Sequence, residues 1–215
     1  MAVRTDSAFG LVPLRTLDGS DLNGMSSGLV CTILRTGYAS NLIPGDPVTF
    51  SGTGDFSGPG IVLGVAGSPI IGVFGGVLQQ VVTTSPGGII FQQAPSYVAN
   101  TASAQEIIVW VYTNPKIVYA IQTDTTGIAA TDIGSNANFA IVAGNLTTNQ
   151  SGVVLTKGSI ATTIGLNLKI IGLASQLMYP GNDFYAVGPP LTGSFNVSEV
   201  IINNHVLNST GTTGI

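Results

Sequence analysis

Glycine (29) and proline (11) supply 40 of the 215 residues and are spread along the whole chain between short runs rich in Val, Ile and Thr. Inside a helix each glycine costs about 1 kcal/mol and each proline about 3 kcal/mol relative to alanine. A chain punctuated this often has little room for helices, and the same residues are the turn-formers that separate short strands. The chain therefore reads as all-β: a single β-barrel or β-sandwich domain with very little helix. Residues 28–215 form that domain and end in a polar tail, and residues 1–27 read as an extended N-terminal arm. Strands are expected over 29–34, 47–51, 61–66, 70–82, 88–92, 106–113, 116–123, 137–143, 153–156, 166–173 and 198–203. The clearest pair is 106–113 with 116–123, joined at Asn114-Pro115, where a fixed φ presets a turn. On the second of these, Ile117, Tyr119 and Ile121 share one face, as alternation in a strand requires. One short helical turn is expected near 128–133, capped by Thr125 or Thr126.

Charge is the second constraint. Only six Lys and Arg and ten Asp and Glu are present, and residues 56–105 contain none. Soluble domains carry about a quarter of their residues charged, against 7% here, although 44% of the chain is apolar. Such a surface must be wetted by Thr, Ser, Asn and Gln or covered by other subunits. Nucleic acid is not expected as a partner, because phosphate recognition needs clustered cations. Arg4, Arg15, Arg35, Lys116, Lys157 and Lys169 are scattered. No membrane span is expected either. The apolar window 61–78 approaches spanning length but holds five glycines and Pro69, and it reads better as two buried strands joined at 67–69. The first seven residues lack the apolar core of a secretion signal.

Catalytic side chains are scarce, and an enzyme is not expected. The single His205 lacks an obvious nucleophile and orienting partner and reads as a structural imidazole at a strand end. The single Cys31 lies in the apolar run 28–34 and reads as a buried, inert thiol. One His and one Cys nearly exclude a zinc site. No calcium-loop spacing joins the carboxylates, so neither a metal nor a cofactor is expected. The glycine clusters Gly52-Thr-Gly54 and Gly58-Pro-Gly60 match no phosphate-binding fingerprint. The sequons at Asn145, Asn149, Asn196 and Asn208 read as chance matches in an Asn-, Ser- and Thr-rich chain. Aromatics fall mostly within strands. The exception is the loop Tyr179-Pro-Gly-Asn-Asp-Phe-Tyr185, where Tyr179 and Tyr185 are candidates for contact with a neighbouring subunit.

Several segments, in order, carry a resemblance. They are Ser7-Ala-Phe-Gly-Leu-Val-Pro-Leu-Arg-Thr-Leu-Asp-Gly-Ser20, Asn23-Gly24, Pro44-Gly-Asp-Pro-Val48, the hairpin region 109–124, Asp132-Ile-Gly-Ser-Asn-Ala-Asn-Phe139, Leu166-Asn-Leu-Lys-Ile-Ile-Gly-Leu173 and Val200-Ile-Ile-Asn-Asn-His205. Together they span most of the chain, and they resemble the capsid decoration (cement, head-stabilising) proteins of tailed bacteriophages. Residues 56–105 and those after 205 match least. The resemblance implies a non-enzymatic virion protein on the outer surface of the capsid. It would assemble as a homotrimer at three-fold and quasi-three-fold positions and clamp neighbouring major capsid proteins. An extended arm suits that role, since it can add a strand to a neighbour's sheet without needing charge. Arg4, Phe9, Leu11 and Arg15 join Tyr179 and Tyr185 as candidate contacts with capsid or subunit.

Two alternatives stay open. One is another virion part, a shell protein or a head or tail fibre domain, although the chain shows neither a long amphipathic helix nor a repeat. The other is a carbohydrate-binding β-module or glycosidase-like enzyme, which would gather carboxylates and exposed aromatics in a cleft. A pilus or surface-layer subunit shares the composition but should carry a secretion signal.

Overall fold

The computed structural model describes residues 8–22, 27–34, 38–55, 58–84, 88–99, 106–173 and 195–208. Its strands are β1 (Val12–Thr16), β2 (Gly28–Leu34), β3 (Pro47–Asp55), β4 (Gly58–Leu63), β5 (Gly72–Thr84), β6 (Gly88–Ala94), β7 (Glu106–Tyr112), β8 (Ile117–Gln122), β9 (Asn136–Ala137), β10 (Phe139–Ala140), β11 (Val154–Leu155), β12 (Leu168–Leu173) and β13 (Val197–Ile202). The protein is all-β, and among the described residues the only helical pieces are the 3₁₀ turns Ala130–Asp132 and Lys157–Ser159.

Five strands close into a barrel. β3 pairs antiparallel with β4, β4 meets β2 in parallel through Gly60 and Thr32, β2 runs antiparallel to β7, and β7 to β5. The ring shuts where β5 returns to β3 through Pro47↔Val73 and Val48↔Gly72. Gly72 is required at this seam, because a Cβ there would sit 2.0 Å from the Tyr112 carbonyl oxygen. β6 continues the sheet outside the ring, paired to the far part of β5. Closure removes free edges from the ring. The barrel encloses Cys31, Ile33, Val48, Ile61, Phe74 and Val109 among its core residues.

The second layer is an antiparallel sheet in the order β1-β8-β13-β12-β9, beside the two-stranded β10-β11 ribbon. Its core gathers Leu11, Ile117, Tyr119, Ile121, Phe139, Leu168 and Val200 with others. The face shared by Ile117, Tyr119 and Ile121 lines this core, while Val118, Ala120 and Gln122 on the other face of β8 are buried as well. The stretch leading into β5 links the two cores: Ile70 and Val73 pack in the second, while Ile71 and Phe74 pack in the barrel.

Four local expectations are corrected. β7 and β8 do not form a hairpin: β7 lies in the barrel and β8 in the other sheet. Asn114 turns the chain from one to the other. Its Oδ1 accepts the Lys116 N–H at 2.9 Å, while the N–H groups of Thr113 and Asn114 are taken by the Ser27 carbonyl at 3.0 and 3.2 Å. The turn near 128–133 is 3₁₀ and is not capped by Thr125 or Thr126. Asp132 closes it by accepting the Ala129 N–H at 2.7 Å. The strand expected over 137–143 breaks into β9 and β10, because Asn138 leaves the ladder to bond Ser159 and Asn167. Residues 12–16, read as part of an arm, form β1 in this chain's own sheet, antiparallel to β8.

Candidate functional site

Of the six contact residues expected from sequence, Phe9, Leu11 and Arg15 are among the described residues. Arg4, Tyr179 and Tyr185 lie outside the described residues. Leu11 is fully buried in the second core, and its N–H donates to the Gly45 carbonyl at 2.9 Å. It is an interior residue with no surface for a partner. The chain can pass so close only because residue 10 is glycine (φ +74), where a Cβ would lie 2.6 Å from Gly45 O and from Ser151. Phe9 is half-buried with Leu14 against Ala120 and Val197. Arg15 is ion-paired, Nη2 to Glu199 Oε2 at 2.6 Å, and this bond raises the guanidinium above its ordinary value.

Two further ion pairs form within the molecule. Lys116 pairs with Asp18 at 3.4 Å, and Lys157 pairs with Asp132. The Asp18 carboxyl is lowered to about 2, first by the Ser20 hydroxyl and backbone N–H and then by Lys116. The exposed Lys116–Asp18 pair contributes little to stability. Asp46, by contrast, is buried. It accepts the Ser151 hydroxyl at 2.5 Å and the Ile43 N–H at 2.8 Å, while desolvation pushes its carboxyl upward.

Asparagine does the connecting work that charge does elsewhere, and sequence reasoning missed it. Asn167 is fully buried. Its Oδ1 accepts the Gly67 N–H at 2.6 Å, its Nδ2 donates to Ser68 O at 2.6 Å, and its carbonyl accepts the Asn203 N–H at 2.7 Å. Its own N–H donates to Asn138 Oδ1 at 3.2 Å. Asn203 Nδ2 reaches the carbonyls of Ile164 and Leu166, and the Val206 N–H closes on Ile70 O at 2.9 Å. Four segments, 61–71, 137–145, 158–167 and 202–208, are thereby clamped around one amide, and none contains a charged residue.

Each clamped segment also presents an exposed aliphatic side chain: Val65 (61%), Ile141 (42%), Ile164 (47%) and Leu207 (60%). Between β4 and β10 lies a cleft of about 560 Å³, lined by Tyr38, Leu63, Val65, Phe139 and Ile141. Tyr38 is fixed there, its hydroxyl oxygen accepting the Leu63 N–H at 2.8 Å, and burial raises its phenol above the ordinary value. Among the described residues the lining of this cleft holds no charged residue and offers shape and apolar contact, not proton transfer. The signal for it was present in the uncharged run 56–105 and in the many asparagines, but the pairing of distant segments was not.

His205, Cys31 and Asn196 are interior. His205 is buried, and its Nδ1 accepts the Leu207 N–H at 3.0 Å, which leaves the proton of the neutral ring on Nε2. Burial lowers its pKa, with the backbone of Thr113 and Ile71 partly opposing. Burial pushes the Cys31 thiol up to about 12. Asn196, part of a sequon, is buried with its Nδ2 on Ile128 O at 2.7 Å. Among the described residues no group of three or more His, Cys, Asp or Glu could hold a metal ion. Comparison with known proteins finds no family model, no curated protein and no solved structure that matches this chain.

Proposed function

We propose that this chain is a structural virion protein that binds the outer surface of a tailed-phage head and cements neighbouring major capsid proteins, as a homotrimer at three-fold and quasi-three-fold positions. The resemblance of the ordered segments from Ser7 to His205 supplies the class. The observation that carries the docking mode is the set of uncharged segments clamped around Asn167, each with an exposed aliphatic, and the apolar cleft between β4 and β10. A face of this kind adheres by apolar burial and shape. Repeated over many copies on a shell, modest contacts sum by multivalency, and binding the finished shell alone stabilises it by mass action. The contact therefore lies on the β-body, and Leu11 serves it only by holding the core beneath.

Co-sedimentation with undecorated, expanded heads tests this. Saturable binding that raises head resistance to heat is expected of the unaltered protein. Val65→Asp and Leu207→Asp, at exposed positions, should each weaken it while leaving thermal unfolding of the free protein unchanged. Absence of binding by the unaltered protein refutes the cement reading. Equal binding by both variants moves the contact away from this face.

A further inference from the structure

A second cleft, which borders the clamped segment 137–145 at residues 142–145, carries a strained aromatic residue on its wall. Phe195 has φ 61°, a left-handed conformation that a bulky side chain adopts only where its surroundings impose it. Those surroundings are visible. The Phe195 N–H donates to Asp124 O at 3.3 Å, and its carbonyl accepts Gln122 Nε2 at 3.4 Å. The result places Phe195 on the wall of a cleft of about 350 Å³ together with Ala8, Asp124, Thr125, Asn145 and Gln150. That volume falls within the range of small-ligand sites, about 300–1,000 Å³.

The polar lining is held in place. Asp124 accepts the Thr126 N–H on Oδ1 at 3.2 Å and the Lys157 N–H on Oδ2 at 3.1 Å. Each carboxylate oxygen keeps a further lone pair for a ligand hydroxyl. Asn145 is fixed through Oδ1, which accepts the N–H groups of Thr147 and Thr148. It also pairs through its backbone with Gln150 at 2.7 and 3.0 Å. No Lys or Arg is among the described residues lining the cleft, and the Lys157 ammonium is held by Asp132.

An aromatic ring, one oriented carboxylate and side-chain amides form a combination that fits one chemistry. The ring takes an apolar C–H face, and the carboxylate accepts hydroxyl donors in charge-assisted bonds. A single uncompensated negative charge disfavours an anionic ligand. We propose that this cleft binds a neutral pyranose unit of a glycan. This goes beyond the cementing role: the cleft shares residues 142–145 with one clamped segment, but none of the four exposed aliphatics lines it.

Saturation-transfer NMR on the full-length protein tests the proposal. The probes are the methyl glycosides of glucose, galactose, mannose, N-acetylglucosamine and rhamnose, with sialyllactose as the anionic comparison. Transfer to the ring C–H protons of at least one neutral glycoside is expected, and weaker transfer to the sialic acid unit. Phe195→Gly removes the ring while relieving the positive φ. It should melt cooperatively like the unaltered protein and lose affinity by about tenfold or more, the scale of removing one stacking platform. Phe195→Trp keeps a platform and should retain binding. Should the glycine variant lose its cooperative melt, the tryptophan variant and Asn145→Ala decide, with retained and weakened binding expected respectively. No transfer to any neutral glycoside overturns the proposal. So do unchanged affinity in a folded Phe195→Gly variant and preference for the sialic acid unit. A negative result leaves head binding untouched.

Discussion

Replacing Asn196 by alanine tests directly whether neutral amides carry the structural load in this chain. The Asn196 side chain acts on Ile128 as a neighbouring strand would: Oδ1 accepts the Ile128 N–H at 3.0 Å and Nδ2 donates to the Ile128 carbonyl at 2.7 Å. Oδ1 also accepts the Thr123 hydroxyl at 2.8 Å. Asn196, Thr123 and Ile128 are all buried, so water does not readily replace the lost partner. An orphaned buried donor or acceptor costs about 1–3 kcal/mol. Thr123 keeps a second acceptor in the Asn196 carbonyl at 3.0 Å, which leaves two backbone groups stranded. The expected loss is about 3 kcal/mol, or about 6–12 °C in Tm for a chain of this size. The assay is urea and thermal unfolding followed by Trp110 fluorescence, with Asn145→Ala as control. Asn145 bonds two exposed N–H groups, and its loss should cost under about 1 kcal/mol. Asn196→Asp, which exchanges the donor for a buried charge, should be less damaged at acid pH than at neutral pH. Equal, small losses for Asn196→Ala and Asn145→Ala would refute the reasoning.

Two further outcomes follow from the buried titrating groups. Cys31, with its thiol pushed up to about 12 by burial, should resist a thiol reagent at mildly alkaline pH in the folded protein and react fully in denaturant; fast labelling of the native state would contradict its placement. His205 has a depressed pKa in the fold, so its contribution to stability is present above the ordinary value of about 6.5 and is lost as pH falls through the folded pKa. NMR titration of the one imidazole should give a midpoint below that value, and His205→Gln should flatten the acid side of the stability curve; a midpoint at or above the ordinary value would contradict its burial.

The all-β class was legible in the glycine and proline spacing, because those residues act locally. The strand pattern of Ile117, Tyr119 and Ile121 was legible for the same reason. A barrel was one of the two architectures expected, but the choice between barrel and sandwich was not legible, since closure depends on Pro47–Val48 meeting Gly72–Val73, a contact that no local pattern encodes. The false hairpin at Asn114 has a related cause. A turn signal fixes that the chain bends but not whether the next strand returns to the same sheet. Residues 1–27 read as an arm because they hold five of the sixteen charges and two turn signals, Asp18-Gly19 and Asn23-Gly24, yet Leu11 is wholly interior and β1 completes the sheet edge. Deleting 1–27 would therefore damage the body, and point variants are the sound probe of docking. The candidate face was half legible: the absence of charge was plain, but the convergence of Gly67, Asn138, Asn167 and Asn203 needed the fold.

The salt dependence of binding to undecorated heads tests the central claim most directly. Apolar docking through uncharged segments is not screened by salt, and burial is strengthened by excluded salts. The account predicts an affinity that holds or rises as sodium sulfate is added. An affinity that falls steeply with salt would place the contact on charged residues and contradict it.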